Sequence, residues 1–166
     1  GAPALPGQTL NVRVKVVRYA NPTAHTPEPI AFGVVHIGDA VSTVGVSLTN
    51  NVPADGFSES LNATIGGGTN GVTASGSFTH LAPGATNNSS LQVGINTATA
   101  GSRNGTATIG LISDGASSSG LGLTTLPSQT VNVTGQVNFY ADPVIIFRSG
   151  SASLIMNSAT NYTLDF

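Results

Sequence analysis

The run Leu5-Pro6-Gly7-Gln8-Thr9-Leu10-Asn11-Val12 returns as Leu126-Pro127-Ser128-Gln129-Thr130-Val131-Asn132-Val133, an offset of 121 positions from 5 to 126. The register continues without a gap through Val16/Val137, Tyr19/Tyr140, Ala20/Ala141, Asn21/Asp142 and Pro22/Pro143. A chain that repeats itself this way reads as one period of a tandem array with an overhang on each side. Residues 1–22 then correspond to the last strand of a preceding unit or to a linker, residues 23–143 to one complete unit, and residues 144–166 to the start of the next, with a hairpin and a first strand. Arrays of this kind space or join other modules far more often than they catalyse reactions.

A unit of about 120 residues is long enough to bury its own core. The alternation of apolar and polar residues says how. Leu10, Val12, Val14 and Val16 point one way and Asn11, Arg13 and Lys15 the other. The same period of two recurs at Val44-Val46-Leu48, Leu61-Ala63-Ile65, Val72 to Phe78, Leu91-Val93-Ile95, Ala107-Ile109-Leu111 and Val131-Val133 continuing to Val137. Period two is the signature of half-buried strands in antiparallel sheets. With Ile30 to Ile37 these segments predict about seven strands between Pro29 and Phe139. Between them lie clusters of Gly, Asn, Asp and Pro, which supply the backbone angles that turns need. No stretch has helical spacing with a cap and a stop. The expected fold is therefore all-β, an immunoglobulin-like antiparallel sandwich. Asp114 to Ser128, rich in Ser and Gly, reads as a surface loop crossing between sheets before the last strand, and Val144–Phe147 with Ser153–Met156 as a small extra hairpin.

Several segments carry a resemblance. Ile30-Ala31-Phe32-Gly33-Val34-Val35-His36-Ile37-Gly38-Asp39, followed by Val44-Gly45-Val46-Ser47-Leu48-Thr49-Asn50, resembles the opening of the Ig-like (ASH-like) repeats called choice-of-anchor D. Leu81-Ala82-Pro83-Gly84, Thr99-Ala100-Gly101, Ser113-Asp114-Gly115 and Gly120-Leu121-Gly122 leading to Gln129-Thr130-Val131 are similar to later parts of the same repeats. Asn161-Tyr162-Thr163-Leu164-Asp165-Phe166 resembles the start of another unit. These motifs are turns and strand ends. The resemblance implies Ig-like architecture in a large, repetitive, exported or surface-anchored bacterial protein, and transfers no catalytic residue.

Composition narrows the chemistry. Lys and Arg total 5, Asp and Glu 7, and the net charge is −2. Arg13, Lys15, Arg18, Arg103 and Arg148 cannot form the clustered cations that phosphate binding requires, so nucleic acid is not an expected partner. No apolar run reaches the length of a membrane span. Cysteine is absent, which removes disulfides, thiolate catalysis and Cys-based metal sites. His25, His36 and His80 fall in separate segments, and the five aspartates each sit beside a turn, so no metal or cofactor is expected; a calcium site at a linker would have little beyond Asp142 and carbonyls to build from. No Gly-x-Ser-x-Gly elbow precedes a helix, and Gly66-Gly67-Gly68 lacks the Lys of a phosphate loop, which makes it a flexible turn. Lys15, the only lysine, is replaced by Gln136 in the repeat, which removes a Lys–Asn cross-link intrinsic to the unit.

The chain is thus expected to be a non-catalytic structural unit of a secreted or cell-surface bacterial protein, Gram-negative in the first instance: an adhesin stalk, spacer, filament or matrix component. The alternative is a glycan- or protein-binding module that uses the 114–128 loop. Expected partners are neighbouring repeats or copies of the chain, joined through edge strands, with a glycan or a host or cell-surface protein as the other class. Leu10, Val12, Val14 and Val16 are the candidate self-association strand, because they repeat a last-strand pattern in a unit that already owns such a strand.

Overall fold

The alternating segments form strands. The computed structural model describes residues 1–3, 6–144, 153–158 and 161–165, and among these there is no helix. In chain order the strands are β1 (Ile30–His36), β2 (Val44–Thr49), β3 (Ser60–Gly66), β4 (Val72–Ser75), β5 (Ser77–Leu81), β6 (Thr86–Ile95), β7 (Gly101–Ser102), β8 (Gly105–Asp114), β9 (Leu123–Asn138), β10 (Ser153–Ser158) and β11 (Asn161–Asp165). One sheet runs β1-β9-β8-β3-β5, with β7 also on β9, and a second runs β2-β6-β4. Neighbours are antiparallel except β1 and β9, which are parallel. The pair β10–β11 is a separate hairpin.

The two sheets bury one face each against the other. Ile30, Leu61, Ala63, Ile65, Ala107, Ile109, Leu111, Val131 and Val133 from the larger sheet meet Val46, Leu48, Val72, Leu91, Val93 and Ile95 from the smaller. These are the alternating positions of the sequence, since every second side chain of a strand lies on the same face. Each buried Val, Leu or Ile contributes about 1.5–3 kcal/mol of transfer free energy.

The outer edge of β2 does not lie bare. Thr23 donates its amide to Thr49 O (2.9 Å), and Thr26 exchanges backbone hydrogen bonds with Ser47 (3.2 and 2.8 Å). The chain then passes, through cis Thr26-Pro27 and Glu28-Pro29, to β1 on the opposite sheet. Side chains from β9 fix this crossing. The Gln129 carboxamide oxygen accepts from the His25 amide and faces its Nδ1, both at 2.9 Å, while its amide group donates to Thr23 O at 2.8 Å. Glu28 faces His25 Nε2 at 2.6 Å and accepts from the backbone and side chain of Asn132. Burial raises the Glu28 pKa, but these hydrogen bonds outweigh it and hold the carboxyl below its ordinary range.

The structure corrects several expectations. Val72 to Phe78 is two strands on different sheets, because Gly76 (φ +114°) turns the chain where a Cβ would overlap the Ser90 carbonyl oxygen. The unit holds nine strand segments between Pro29 and Phe139, where the spacing predicted about seven. The loop before the last strand spans only 115–122 and does not cross between sheets. Leu123 pairs with Asp114 and β9 runs on antiparallel to β8, so Leu123–Ser128 is strand. Apart from these, residues 8–17, expected as the last strand of a preceding unit or a linker, lie outside every strand of this unit. Ser153–Met156 does enter a hairpin, but its partner is β11; residues 145–147 of the expected Val144–Phe147 strand lie outside the described residues.

If the core is shared between the sheets in this way, Leu91→Ala will cost about 2–5 kcal/mol and Leu121→Ala, exposed in the 115–122 loop, within about 0.5. Urea unfolding of the full chain measures both. Equal effects would contradict the assignment of Leu91 to the core.

Candidate functional site

The features that set this unit apart lie at its two ends. Strand directions place the ends of β2 and β8 and the starts of β3 and β9 together at one end of the sandwich; the ends of β1, β3, β6 and β9 lie at the other. The chain enters at the first end through residues 18–22 and leaves at the second through residues 138–143.

At the entrance, residues outside any strand are held by backbone hydrogen bonds. Arg18 donates to Phe57 O (2.8 Å) and accepts from the Glu59 amide (2.9 Å). The Ala20 amide donates to Ser113 Oγ (2.7 Å), and its methyl group is buried. The Asn21 amide donates to Asn50 Oδ1 (3.1 Å), while Asn21 O accepts from the Asn51 amide (2.8 Å).

Behind these contacts stand three buried polar side chains. Asn50, fully buried, gives its two amide hydrogens to Glu59 O (3.0 Å) and Leu81 O (3.2 Å). Ser113, on β8, accepts from Ala20 with a lone pair of its hydroxyl oxygen and donates its hydroxyl hydrogen to Glu59 Oε2 (2.7 Å). The carboxylate of Glu59, only 1% exposed, takes a second hydroxyl from Ser119 (2.6 Å) and so pins the 115–122 loop to the same place. Hydrogen bonds of this kind offset the cost of burying a polar group. Among the described residues, no buried side-chain nitrogen or oxygen lacks a partner. The Arg18–Asp55 ion pair (2.8 Å) is half exposed and adds little.

At the exit, the Tyr140 ring stacks on His36, with centroids 4.3 Å apart and planes 10° from parallel. The Tyr140 hydroxyl donates to Asp39 Oδ1 (2.8 Å), and the His36 amide donates to Asp39 Oδ2 (2.7 Å). The turn carrying Asp39 is fixed by Gly38 N to Thr97 O (3.0 Å) and Thr97 Oγ1 to Asp39 O (2.9 Å). The His36 amide first, then the Tyr140 hydroxyl, hold the Asp39 carboxyl below its ordinary range, and the same bond raises the Tyr140 phenol.

The candidate strand residues Leu10, Val12, Val14 and Val16 are 87%, 73%, 81% and 78% exposed, whereas their repeat counterparts Val131, Val133 and Val137 are 0%, 2% and 0% exposed. Val14 faces Gly135 in the repeat. The structure brings none of the four into a sheet; Lys15, between them, reaches over Phe57 with its ammonium 5.6 Å from the ring centroid. The histidines are apart. His25 is buried against Gln129 and Glu28, His36 stacks on Tyr140, and His80 Nε2 lies 3.2 Å from Asp114 Oδ2. Among the described residues no group of three or more His, Cys, Asp or Glu converges as for a metal ion.

The described residues form open clefts that include one of about 290 Å³ beside the entrance (Ala20, Asn21, Pro22, Leu126, Pro127, Ser128, Gln129) and one of about 200 Å³ at Asn62, Ala63, Thr64, Ser77, Phe78, Thr79, Gly110 and Ile112. Neither is lined by a titratable side chain. Sequence reasoning did not single out Asn50, Ser113 or Glu59 as a network. The available signal is that Asn50 closes one of the quoted strand-end motifs, Leu48-Thr49-Asn50, and Ser113 opens another, Ser113-Asp114-Gly115.

The exit clasp sets a pH window. Asp39 has a lowered folded pKa, so its contribution is present above the ordinary aspartate value of about 3.9 and is lost as pH falls through the lower folded value. Tyr140 has a raised folded pKa, so the contact is present below about 10 and is lost as pH rises through the higher folded value. Ring-current shifts between His36 and Tyr140, followed by NMR, are expected to be unaffected by these two groups across the interval between and to collapse outside it. Collapse centred on the unshifted values would contradict the Asp39–Tyr140 bond.

No protein-family model matches this chain, and no curated protein matches it at significant similarity.

Proposed function

We propose that this chain is one unit of a tandem array of Ig-like sandwiches, of choice-of-anchor D type, serving as a non-catalytic spacer, stalk, filament or matrix component of a bacterial cell-surface or secreted protein. The observation that carries the reading is the 121-position repetition, which matches the chain entering the unit to the chain leaving it. The Ig-like assignment is supported by the strand orders β1-β9-β8-β3-β5 and β2-β6-β4, with β1 parallel to β9. Entrance and exit at opposite ends suit a spacer, because tension then runs along the strands and loads many ladder hydrogen bonds together.

Leu10, Val12, Val14 and Val16 supply a means of self-association. They carry the apolar row of β9 outside every sheet of this unit, and strand addition to a neighbouring unit would bury that row and satisfy its backbone. One observation favours a second reading, a glycan- or protein-binding module: Leu121 and Leu123 stand exposed in and beside the 115–122 loop, which Ser119 ties to Glu59.

The test has two arms on the full chain. A hydrolase substrate panel and a glycan array should give no turnover and no saturable binding; a saturable hit abolished by shortening residues 115–122 would install the binding module instead. Light scattering over a range of concentrations should show self-association that is lost when Leu10, Val12 and Val16 are all changed to Ser. Monomers throughout, before and after the change, would remove the strand-addition mechanism.

A further inference from the structure

The two ends of this unit display the two halves of a single connector. Tyr19-Ala20-Asn21-Pro22 is seen as it docks onto a unit that follows it, and Tyr140-Ala141-Asp142-Pro143 as it leaves the unit that precedes it. The contacts on the two sides use different groups.

The docking side uses mainly backbone: the amide and carbonyl of residue 18, the amide of residue 20, the amide and carbonyl of residue 21, and the alanine methyl. Phe139, Ala141 and Asp142 have every one of these groups. The replacements give up only the exposed Arg18–Asp55 contact, the partly buried Arg18–Ser58 contact (3.4 Å) and a 3.5 Å bond from the Asn21 side chain to Asn51 O. The leaving side uses the tyrosine ring, stacked on His36 and bonded to Asp39. Tyr19 carries the same ring, exposed, and among the described residues it has no ring partner. Ala141 is exposed where its counterpart Ala20 is buried.

We propose that residues 139–143 are a two-sided connector. Tyr140 stays clasped to its own unit at His36 and Asp39, while the backbone of 139, 141 and 142 and the Ala141 methyl seat in the entrance of a second unit of this fold, against its Asn50, Ser113 and Glu59. Tyr19 makes the reciprocal clasp on a preceding unit. Consecutive units are thereby held in one relative orientation, because a connector fixed on both faces leaves no free backbone torsion between them. This inference rests on the array reading and adds to it a rigid joint with named partners.

The test is a chain in which residues 23–143 are repeated once in tandem, so that the first Pro143 is followed by Thr23 in the register of Pro22. That chain holds an internal Ala141, with a unit after it, and a terminal Ala141 without one. NMR hydrogen exchange should find the internal Ala141 amide slower than the terminal one by about tenfold or more, as expected of a docked amide. Residual dipolar couplings from both units should fit one alignment tensor, and Tyr140→Leu at the internal connector should split that fit into two while both units stay folded. Equal exchange at the two Ala141 amides, with two independent tensors in the parent tandem chain, would overturn the connector and leave a flexible array standing. Failure of the inserted 121 residues to yield a second sandwich would overturn the array reading as well.

Discussion

The carboxamide of Asn50 joins parts of this molecule that no strand ladder connects. Its oxygen takes the amide of Asn21 and its nitrogen serves the carbonyls of Glu59 and Leu81, so one buried side chain ties the incoming chain, the end of β2, the start of β3 and the end of β5. Its backbone serves the same junction, accepting from Gly84 and donating to Ala85 O. Net stabilisation from any one of these bonds is about 1 kcal/mol, but each buried group left without its partner would cost about 1–3 kcal/mol. The asymmetry makes the node hard to lose. Glu59 and Ser113 extend it, carrying the hydrogen-bond chain from the Ala20 amide through a hydroxyl to a carboxylate and on to the 115–122 loop.

This arrangement explains why a segment with no strand of its own can still be placed. Residues 18–22 lie outside the sheets, yet their polar backbone groups are matched by side chains and loop carbonyls at the end of the sandwich. A few residues further on, the same chain covers the edge of β2 before crossing to β1. Covering an edge removes a site at which another chain could add. The opposite end is built on a different principle, an aromatic stack closed by a charge-assisted hydrogen bond, and it holds the departing chain by a side chain where the entrance holds the backbone.

Much of the fold could be read in the sequence because a half-buried strand writes its inward face at every second position. Leu61-Ala63-Ile65, Leu91-Val93-Ile95 and Ala107-Ile109-Leu111 are all in the core. The bend at Gly76 is not legible in the sequence because it depends on the close approach of Ser90, fourteen positions away, and no local pattern records that. Leu123–Ser128 reads as loop because its two leucines do not alternate with period two and it contains Pro127; its strand character comes from pairing with β8, where the register shifts between Ile109 and Leu111. Residues 8–17 show the converse. Alternation specifies which face a strand would bury, and a strand also needs a neighbour. The network at the entrance was less legible still, since Asn50, Ser113 and Glu59 meet Asn21, Ala20 and Ser119 only across 29, 93 and 60 positions of chain.

The central claim is that the incoming chain is docked by its backbone into the end of the sandwich, and amide hydrogen exchange of the full chain under native conditions tests it directly. The Ala20 and Asn21 amides, bonded to Ser113 and Asn50, should exchange within about tenfold of the amides of β2 and β8, while those of residues 10–16 exchange at close to free-chain rates. Ala20 and Asn21 exchanging as fast as residues 10–16 would contradict it.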